Sequence, residues 1–269
     1  MLLASQNLPS TRRVASSEPV QPPRYSLLLS TDADEIRASQ RLRHDVFATE
    51  LGARLPGARD GLDVDHFDQF CDHLLVREDR TGTIVGSYRM LPPERARAAG
   101  GLYTGTEFEI DNLAPLRPEL VETGRSCVHA DHRSGAVMGL MWSGILRYLT
   151  LTGNRWVVGC ASVPMGTGPQ AGVLVRGVRE AVQGRHTSPV DYLVRPRRPV
   201  VVDGVPLSQL DLPPRTVLPP LLKGYLRLGA WVCGEPALDP DFGVADFVVL
   251  LDSERIDPRY ARRLGGAHT

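Results

Sequence analysis

The sequence predicts a mixed α/β (α+β) fold, a single mixed central sheet flanked by helices. Three observations carry this. Segments of period two and period 3.6 alternate as strand, helix, hairpin, strand, helix, strand, helix, strand, which is the pattern of helices packed on one sheet. Trp156-Val-Val-Gly-Cys-Ala-Ser-Val163 is almost continuously apolar, as a strand buried on both faces must be. Finally, 22 prolines and 26 glycines cut the chain into short elements with many turns. At 269 residues and 42% hydrophobic, the chain is long enough for a sizeable core. No repeat of fixed period is present. We read residues 1–23, rich in Ser, Pro, Gln and Ala, as a flexible N-terminal arm, and 24–269 as a single domain.

The elements follow in order. Tyr25–Leu29 is a short strand. Asp32 can cap a helix, with Glu35 three residues on in the capping-box position. That helix extends to about Leu51, with Ile36, Leu42, Val46 and Phe47 as its apolar positions. Residues 52–70, dense in Gly and Asp, read as a loop. His73–Val76 and Ile84–Leu91, joined through Asp79-Arg-Thr-Gly82, form a hairpin. A Pro-Pro break and a short polar helix lead to the strand Leu120–Val128. The turn His-Ala-Asp-His-Arg-Ser-Gly135 opens a helix over 136–152, which Gly153-Asn154 ends. The buried strand 156–163 and a helix over 170–183 come next, followed by a Pro-rich, basic connection over 195–220. Leu221, Tyr225, Leu228 and Val232 fall at helical spacing, and Ala245–Leu251 is the last strand before a short basic tail helix.

Composition excludes several classes. Lys+Arg and Asp+Glu are 31 each, so the formal net charge is zero and general polyanion binding is disfavoured; nucleic acid is not an expected partner. No apolar run approaches the ~18–20 residues of a membrane span, and the N-terminus does not read as a secretory signal. Cys71, Cys127, Cys160 and Cys233 form no CxxC pair, which suits a reducing cytoplasm and argues against a disulfide framework or zinc site.

The strand, polar-Gly turn, helix and buried strand over Val121–Val163 resemble the acyl-CoA-binding core of the GNAT N-acyltransferase superfamily. Arg43 and Phe47 in Arg-His-Asp-Val-Phe, Asp65 and Asp68 in Asp-Val-Asp-His-Phe-Asp, Arg89 in Gly-Ser-Tyr-Arg-Met-Leu, and Glu122 and Arg125 in Glu-Thr-Gly-Arg stand in an order similar to that of the acyl-homoserine-lactone synthases and N-acyl amino acid synthases. Gly-Arg-Ser-Cys-Val-His, Met-Trp-Ser-Gly-Ile, Pro-Pro-Leu-Leu-Lys-Gly-Tyr-Leu-Arg-Leu-Gly-Ala and Asp-Pro-Asp-Phe-Gly-Val-Ala-Asp-Phe resemble the ornithine-acyl-carrier-protein N-acyltransferases of ornithine lipid synthesis. The resemblance spans roughly residues 25–260. It implies transfer of a 3-hydroxy fatty acyl group from acyl carrier protein to the α-amine of ornithine, with no cofactor beyond the phosphopantetheine thioester of the donor. A lactone synthase, another N-acyl amino acid synthase, and a non-catalytic scaffold that binds carrier or lipid remain as alternatives.

Acyl transfer to an amine requires a base for the ammonium, a donor for the developing oxyanion and departure of a thiolate. The resemblance makes Glu122 the residue that assists deprotonation, with Arg125 orienting it or a substrate carboxylate. Three apart on a regular strand, the two would face opposite sides; a bulge at Gly124 returns them to one side, so this role predicts a bulge there. Structural ion pairs are the alternative. Asp65 and Asp68 fit recognition of a cationic amine or a solvated acidic turn, and the calcium-loop pattern is absent. Arg43 shares a helix face with Phe47. If inward, it needs a carboxylate from Asp65, Asp68 or Glu122; with Arg89 it reads as a substrate-contacting or supporting cation, or as a surface arginine with a buried stem.

His132, Arg133, Ser134 and Gly135 open a helix, where free N–H groups attract phosphate. The GNAT loop reads Gln/Arg-x-x-Gly-x-Gly/Ala, and here its basic first and small last positions are altered. That departure fits the single phosphate of phosphopantetheine better than the pyrophosphate of CoA. His129-x-Asp-His132 lacks a complete metal ligand set, so no metal is expected. Leu221, Leu222, Tyr225, Leu228 and Trp231 read as an acyl-chain pocket or as plain core. Arg147, Arg176, Arg179, Arg195, Arg197 and Arg198 read as a docking face for an acidic carrier protein or as ordinary solubilising charge. The small Cys127 reads as a packing residue. The expected localisation is cytoplasmic, with peripheral membrane contact through Arg259, Arg262 and Arg263.

Overall fold

Every strand the sequence predicts lies in one sheet of the computed structural model, which describes residues 24–133, 135–257 and 259. The chain runs β1 (Tyr25–Ser30), α1 (Ala33–His44), β2 (Asp72–Glu78), β3 (Ile84–Leu91), α2 (Pro93–Ala98), α3 (Thr104–Glu107), β4 (Phe108–Glu109) and β5 (Leu120–Val128). There follow α4 (Gly135–Thr152), β6 (Trp156–Pro164), α5 (Val173–Val182), β7 (Arg195–Pro196), β8 (Val201–Val202) and β9 (Val205–Pro206). The chain continues with α6 (Pro220–Leu228), β10 (Trp231–Val232), β11 (Ala237–Asp239) and β12 (Val244–Asp252). The main sheet has the order β1-β2-β3-β5-β6-β12-β10, with β11 also on β12. Its pairs are antiparallel except β5 and β6, which run parallel and are joined by the α4 crossover. The arm 1–23, Ser134 and most of the basic tail lie outside the described residues.

Alternation along the central strands fills two layers. Val121, Val157 and Phe247 meet Met141, Ile145, Leu222 and Tyr225 of α4 and α6 on one face. Leu120, Val158 and Leu250 meet Phe108 and Leu113 on the other. A third cluster seats Leu42, Val46 and Phe47 on Leu75, Ile84 and Cys127. Asp32 caps α1 by accepting from the N–H groups of Asp34 and Glu35. The reciprocal half of the expected capping box is replaced by an ion pair from Glu35 to Arg77. The α1 pattern continues as a π-helical turn over Asp45–Glu50. Two boundaries differ from the sequence reading. The 52–70 loop contains a capped 3-10 turn, His66–Phe70. Helix α6 stops at Leu228, because Gly229 takes φ 93°, and Val232 pairs with Val249 in the sheet instead.

One local feature positions the site. β5 and β6 pair from Leu120↔Trp156 only to Thr123↔Gly159. Beyond that rung β5 pairs only with β3, and β6 only with β12, so the sheet splits. Gly159 is required at the last rung, since a Cβ there would lie 2.6 Å from the Thr123 carbonyl oxygen. At the split, Arg89 pairs with Gly124 but Ser87 pairs with Cys127, so β5 carries one extra residue. This is the bulge that the roles of Glu122 and Arg125 predicted. The unusual backbone falls on Arg125 (φ 53°) rather than on Gly124.

Candidate active site

The split opens a cavity of about 110 Å³, lined among others by Phe47, Tyr88, Arg89, Tyr103, Thr104, Glu122, Arg125, Asp239 and Asp246. Glu122 and Arg125 both face it, three residues apart, because of the bulge. They are held by different neighbours. Glu122 is 5% exposed. Its Oε2 accepts from the Tyr103 N–H at 2.7 Å, and its Oε1 from the Thr104 N–H at 2.7 Å and the Thr104 hydroxyl at 2.6 Å. Burial raises its pKa, while those three donors oppose the rise by favouring the ionised form. Arg125 instead pairs with Asp63 and Asp65, each at 3.2 Å, and its guanidinium lies over the rings of Tyr103 and Phe242. Glu122 is oriented by the Tyr103 and Thr104 N–H groups and the Thr104 hydroxyl rather than by Arg125.

Beside the cavity, three arginines and three aspartates interlock. Arg43, fully buried, donates from Nε to Asp63 (2.8 Å) and from its terminal nitrogens to Asp68 (2.7 and 3.0 Å) and the Asp63 carbonyl (2.5 Å). Arg89 donates to Asp65 (2.5 Å) and Asp68 (3.1 Å). Asp65 and Asp68 also cap the 3-10 turn reciprocally. Burial works against the ionised Asp68, yet Arg43 and Arg89 outweigh it and hold the carboxyl well below the usual range. Charge is balanced, three cations against three anions. Arg43 is therefore the inward arginine with carboxylate partners. Asp65 and Asp68, expected to meet a substrate ammonium, are already committed to these arginines.

Uncompensated acid lies elsewhere on the cavity. Ligand atoms of Glu107, Asp239 and Asp246 lie within 4.8 Å of one another, and Asp239 and Asp246 line the cavity. Among the described residues no cationic side chain is within ion-pair distance of them. Ser162 donates to Asp246 at 2.6 Å, and Glu107 Oε2 is buried without a hydrogen-bond partner. Burial and the neighbouring Asp246 charge push Glu107 up to about 8. Burial and the Asp239 charge push Asp246 up to about 6, with the Ser162 hydrogen bond in opposition. Such a cluster suits a cation of one or two charges. The sequence reading missed it. Its signal lay in Asp-Pro-Asp-Phe-Gly-Val-Ala-Asp-Phe, which holds Asp239 and Asp246, whereas Thr104 and Glu107 sit in a stretch without a recognisable pattern.

The remaining expected residues divide. Phe47 lines the cavity from the π-helical turn. Arg133 is half exposed and pairs with Glu50 through both terminal nitrogens at 2.6 Å, and its Nε donates to the Val128 carbonyl. The His132 ring bonds the Tyr25 hydroxyl at 3.0 Å. Gly135 opens α4, and Ser134 lies outside the described residues. Of the apolar set on α6 and β10, only Leu221 reaches the cavity; Leu222, Tyr225 and Leu228 are core. Arg176 and Arg179 are tied to Glu180 and Glu235, whereas Arg147, Arg195, Arg197 and Arg198 are exposed. Cys127 is buried packing, its thiol pushed up to about 12 by burial. Among the described residues no helix is long and apolar enough to cross a membrane.

The split sheet, the bulge and the buried carboxylate agree with an acyltransferase of the GNAT class, which the likeness to known proteins establishes. The acetyltransferase (GNAT) domain family matches residues 42–143. A CoA-dependent acyl-homoserine lactone synthase, BjaI, solved with MTA, shares the fold at TM-score 0.52 and 17% identity, covering 91% of this chain and 89% of that one. The chain is 33% identical over 257 residues to an L-ornithine N(alpha)-acyltransferase of Rhodobacter capsulatus, covering 90% of this chain and 96% of the relative. It is 35% identical over 247 residues to the protein of the same name in Brucella abortus, covering 88% and 87%. The chain belongs to the L-ornithine N(alpha)-acyltransferase family.

Proposed function

We propose that this protein transfers a fatty acyl group, 3-hydroxylated, from acyl carrier protein to the α-amine of ornithine, forming lyso-ornithine lipid. The likeness over nine-tenths of the chain to an L-ornithine N(alpha)-acyltransferase supports the acceptor and the amine acylated, and the donor, its hydroxyl and the lipid product rest on the resemblance of the sequence motifs. The cavity adds chemical support, because it presents a base and an uncompensated acidic wall together. Ornithine arrives with two ammonium groups. The side-chain ammonium meets Asp239 and Asp246, and the α-ammonium faces Glu122. Oε1 of Glu122 already accepts two hydrogen bonds and Oε2 only one, so Oε2 keeps a lone pair for the proton. The neutral amine then attacks the thioester carbonyl. A C–N bond forms, the C–S bond breaks and the thiolate leaves, taking up a proton. Arg125, braced by Asp63 and Asp65, is placed to meet the ornithine carboxylate. The exposed Arg195, Arg197 and Arg198 supply charge for an acidic carrier, and the segment His132, Arg133, Ser134 and Gly135 ahead of α4 is the expected site for its phosphopantetheine phosphate. A lipid product fits a cytoplasmic enzyme touching the membrane at its periphery.

The test is product analysis by mass spectrometry. Purified protein is mixed with 3-hydroxyacyl carrier protein and a panel of free amino acids. Acyl-ornithine is the expected product. Acylation of another amine, or transfer only from acyl-CoA, would overturn the acceptor or the donor. No product with any amine or either donor would favour a scaffold that binds without catalysing.

A further inference from the structure

We infer that Thr104 is a positioning residue for Glu122, holding that carboxylate ionised and turned so that only Oε2 faces the incoming amine. The inference rests on the proposed acyl transfer. Glu122 is buried and makes no ion pair, so something other than a cation must keep its charge in the low-dielectric gap. The structure supplies donors instead. The hydroxyl of Thr104 is 2.6 Å from Oε1 and its N–H is 2.7 Å from the same atom, which fills both acceptor positions of Oε1. Tyr103 N–H takes one position on Oε2. The two backbone donors belong to any residue at 103 and 104, but the hydroxyl belongs to Thr104, itself 1% exposed; it donates its one proton to the carboxylate and accepts from the Cys160 thiol at 4.0 Å.

The other groups around Glu122 leave this assignment intact. Arg89 favours the ionised form through space, but its own bonds go to Asp65 and Asp68. Burial raises the thiols of Cys71, to about 12, and of Cys160, so both stay protonated across an assay range of pH 5–9. Glu107 and Asp246 titrate within that range, but neither bonds Thr104, so their contribution is common to every variant at 104.

The experiment is the pH profile of kcat/KM for acyl-ornithine formation, in wild type, Thr104→Val, Thr104→Ala and Thr104→Ser. Activity that needs ionised Glu122 rises with pH along an acidic limb. Loss of the hydroxyl removes a donor to the charged form only, so the limb moves up by about one pH unit in the Val and Ala variants. The Ser variant keeps the hydroxyl and the wild-type limb. In a Glu122→Gln background, replacing Thr104 changes the residual rate less than twofold, because the group it serves is gone. A lower rate with an unmoved limb, or an additive loss in the Gln background, would make Thr104 a structural residue and overturn the inference. If neither variant folds, the Ser profile decides: a limb displaced with the hydroxyl retained would also overturn it. A wild type that makes no acyl-ornithine is a separate outcome and overturns the proposed function instead.

Discussion

Replacing Asp68 with Asn tests the buried charge network. The side chain keeps its shape, and the amide oxygen can still accept from Asp65 N–H and from one arginine, but the charge is lost. In the native protein Asp68 accepts from both terminal nitrogens of Arg43, from Arg89 and from Gln40. Arg43 is 0% and Arg89 4% exposed, so neither can turn to water for compensation. The variant leaves the buried Arg43 and Arg89 and the partly buried Arg125 against two aspartates. Breaking a buried pair from one side costs about 3–5 kcal/mol, and for a domain of this size that lowers Tm by roughly 6–20 °C. Thermal melts at pH 7 measure it. The pH dependence adds a second check. The arginines hold Asp68 below its unfolded value, so its contribution is present above pH ~4 and is lost as pH falls through the depressed folded value. The gap between wild type and Asp68→Asn should stay level from pH 5 to 8. A Tm within 2 °C of wild type at pH 7, or a gap that closes between pH 5 and 7, would refute the reasoning.

Other expectations follow from the same geometry. Asp246→Asn should raise KM for ornithine at least tenfold with KM for the acyl donor unchanged, measured by varying each substrate in turn; a changed donor KM alone would remove Asp246 from the acceptor side. Glu107 is raised in the folded state, so its contribution is fully present below the unfolded value of ~4.3 and is lost as pH rises through about 8. Wild type should therefore lose stability between about pH 5 and 8 in urea titrations and level off above that, and Glu107→Gln should flatten that slope. Gly159→Ala forces a Cβ to within 2.6 Å of the Thr123 carbonyl, which should cost about 1–3 kcal/mol in the same titrations. A thiol-reactive dye at pH 7.5 should leave Cys71, Cys127 and Cys233 unmodified in the native protein, since all three are buried with thiols near 12.

Much of the fold was legible because it depends on periodicity. The alternation over β5 and the continuous run over β6 give the two buried faces directly, and the bulge followed from asking how Glu122 and Arg125 reach one side. The failures have a common physical origin. The helical pattern over Leu221–Val232 is as compatible with a strand at its end as with a helix, and only Gly229 at positive φ separates them. Asp65 and Asp68 were open both to a substrate ammonium and to Arg43, because a sequence shows charge but not its partner. Their partners arrive from α1, β3 and β5, at separations of 21 to 60 residues.

That pairing changes what the acidic residues can do. A carboxylate that already balances a buried arginine gains little from a substrate ammonium, because binding one would leave the arginine unpaired. A carboxylate raised by two like neighbours gains a great deal, since the incoming cation relieves repulsion as well as forming its own bonds. Selection for a diamino acid is expected from the cluster of Glu107, Asp239 and Asp246, with which no cationic side chain among the described residues makes an ion pair, and the Arg43–Arg89–Arg125 network is expected to hold the bulge in place beneath them. The two roles separate in one measurement. Asp63→Asn should lower Tm by several degrees, because Asp63 joins Arg43 to Arg125, and should leave the preference for ornithine over neutral amino acids intact. Asp239→Asn should do the reverse, with near-native Tm and a preference reduced at least tenfold. Lost preference in Asp63→Asn at full stability would assign recognition to the network instead.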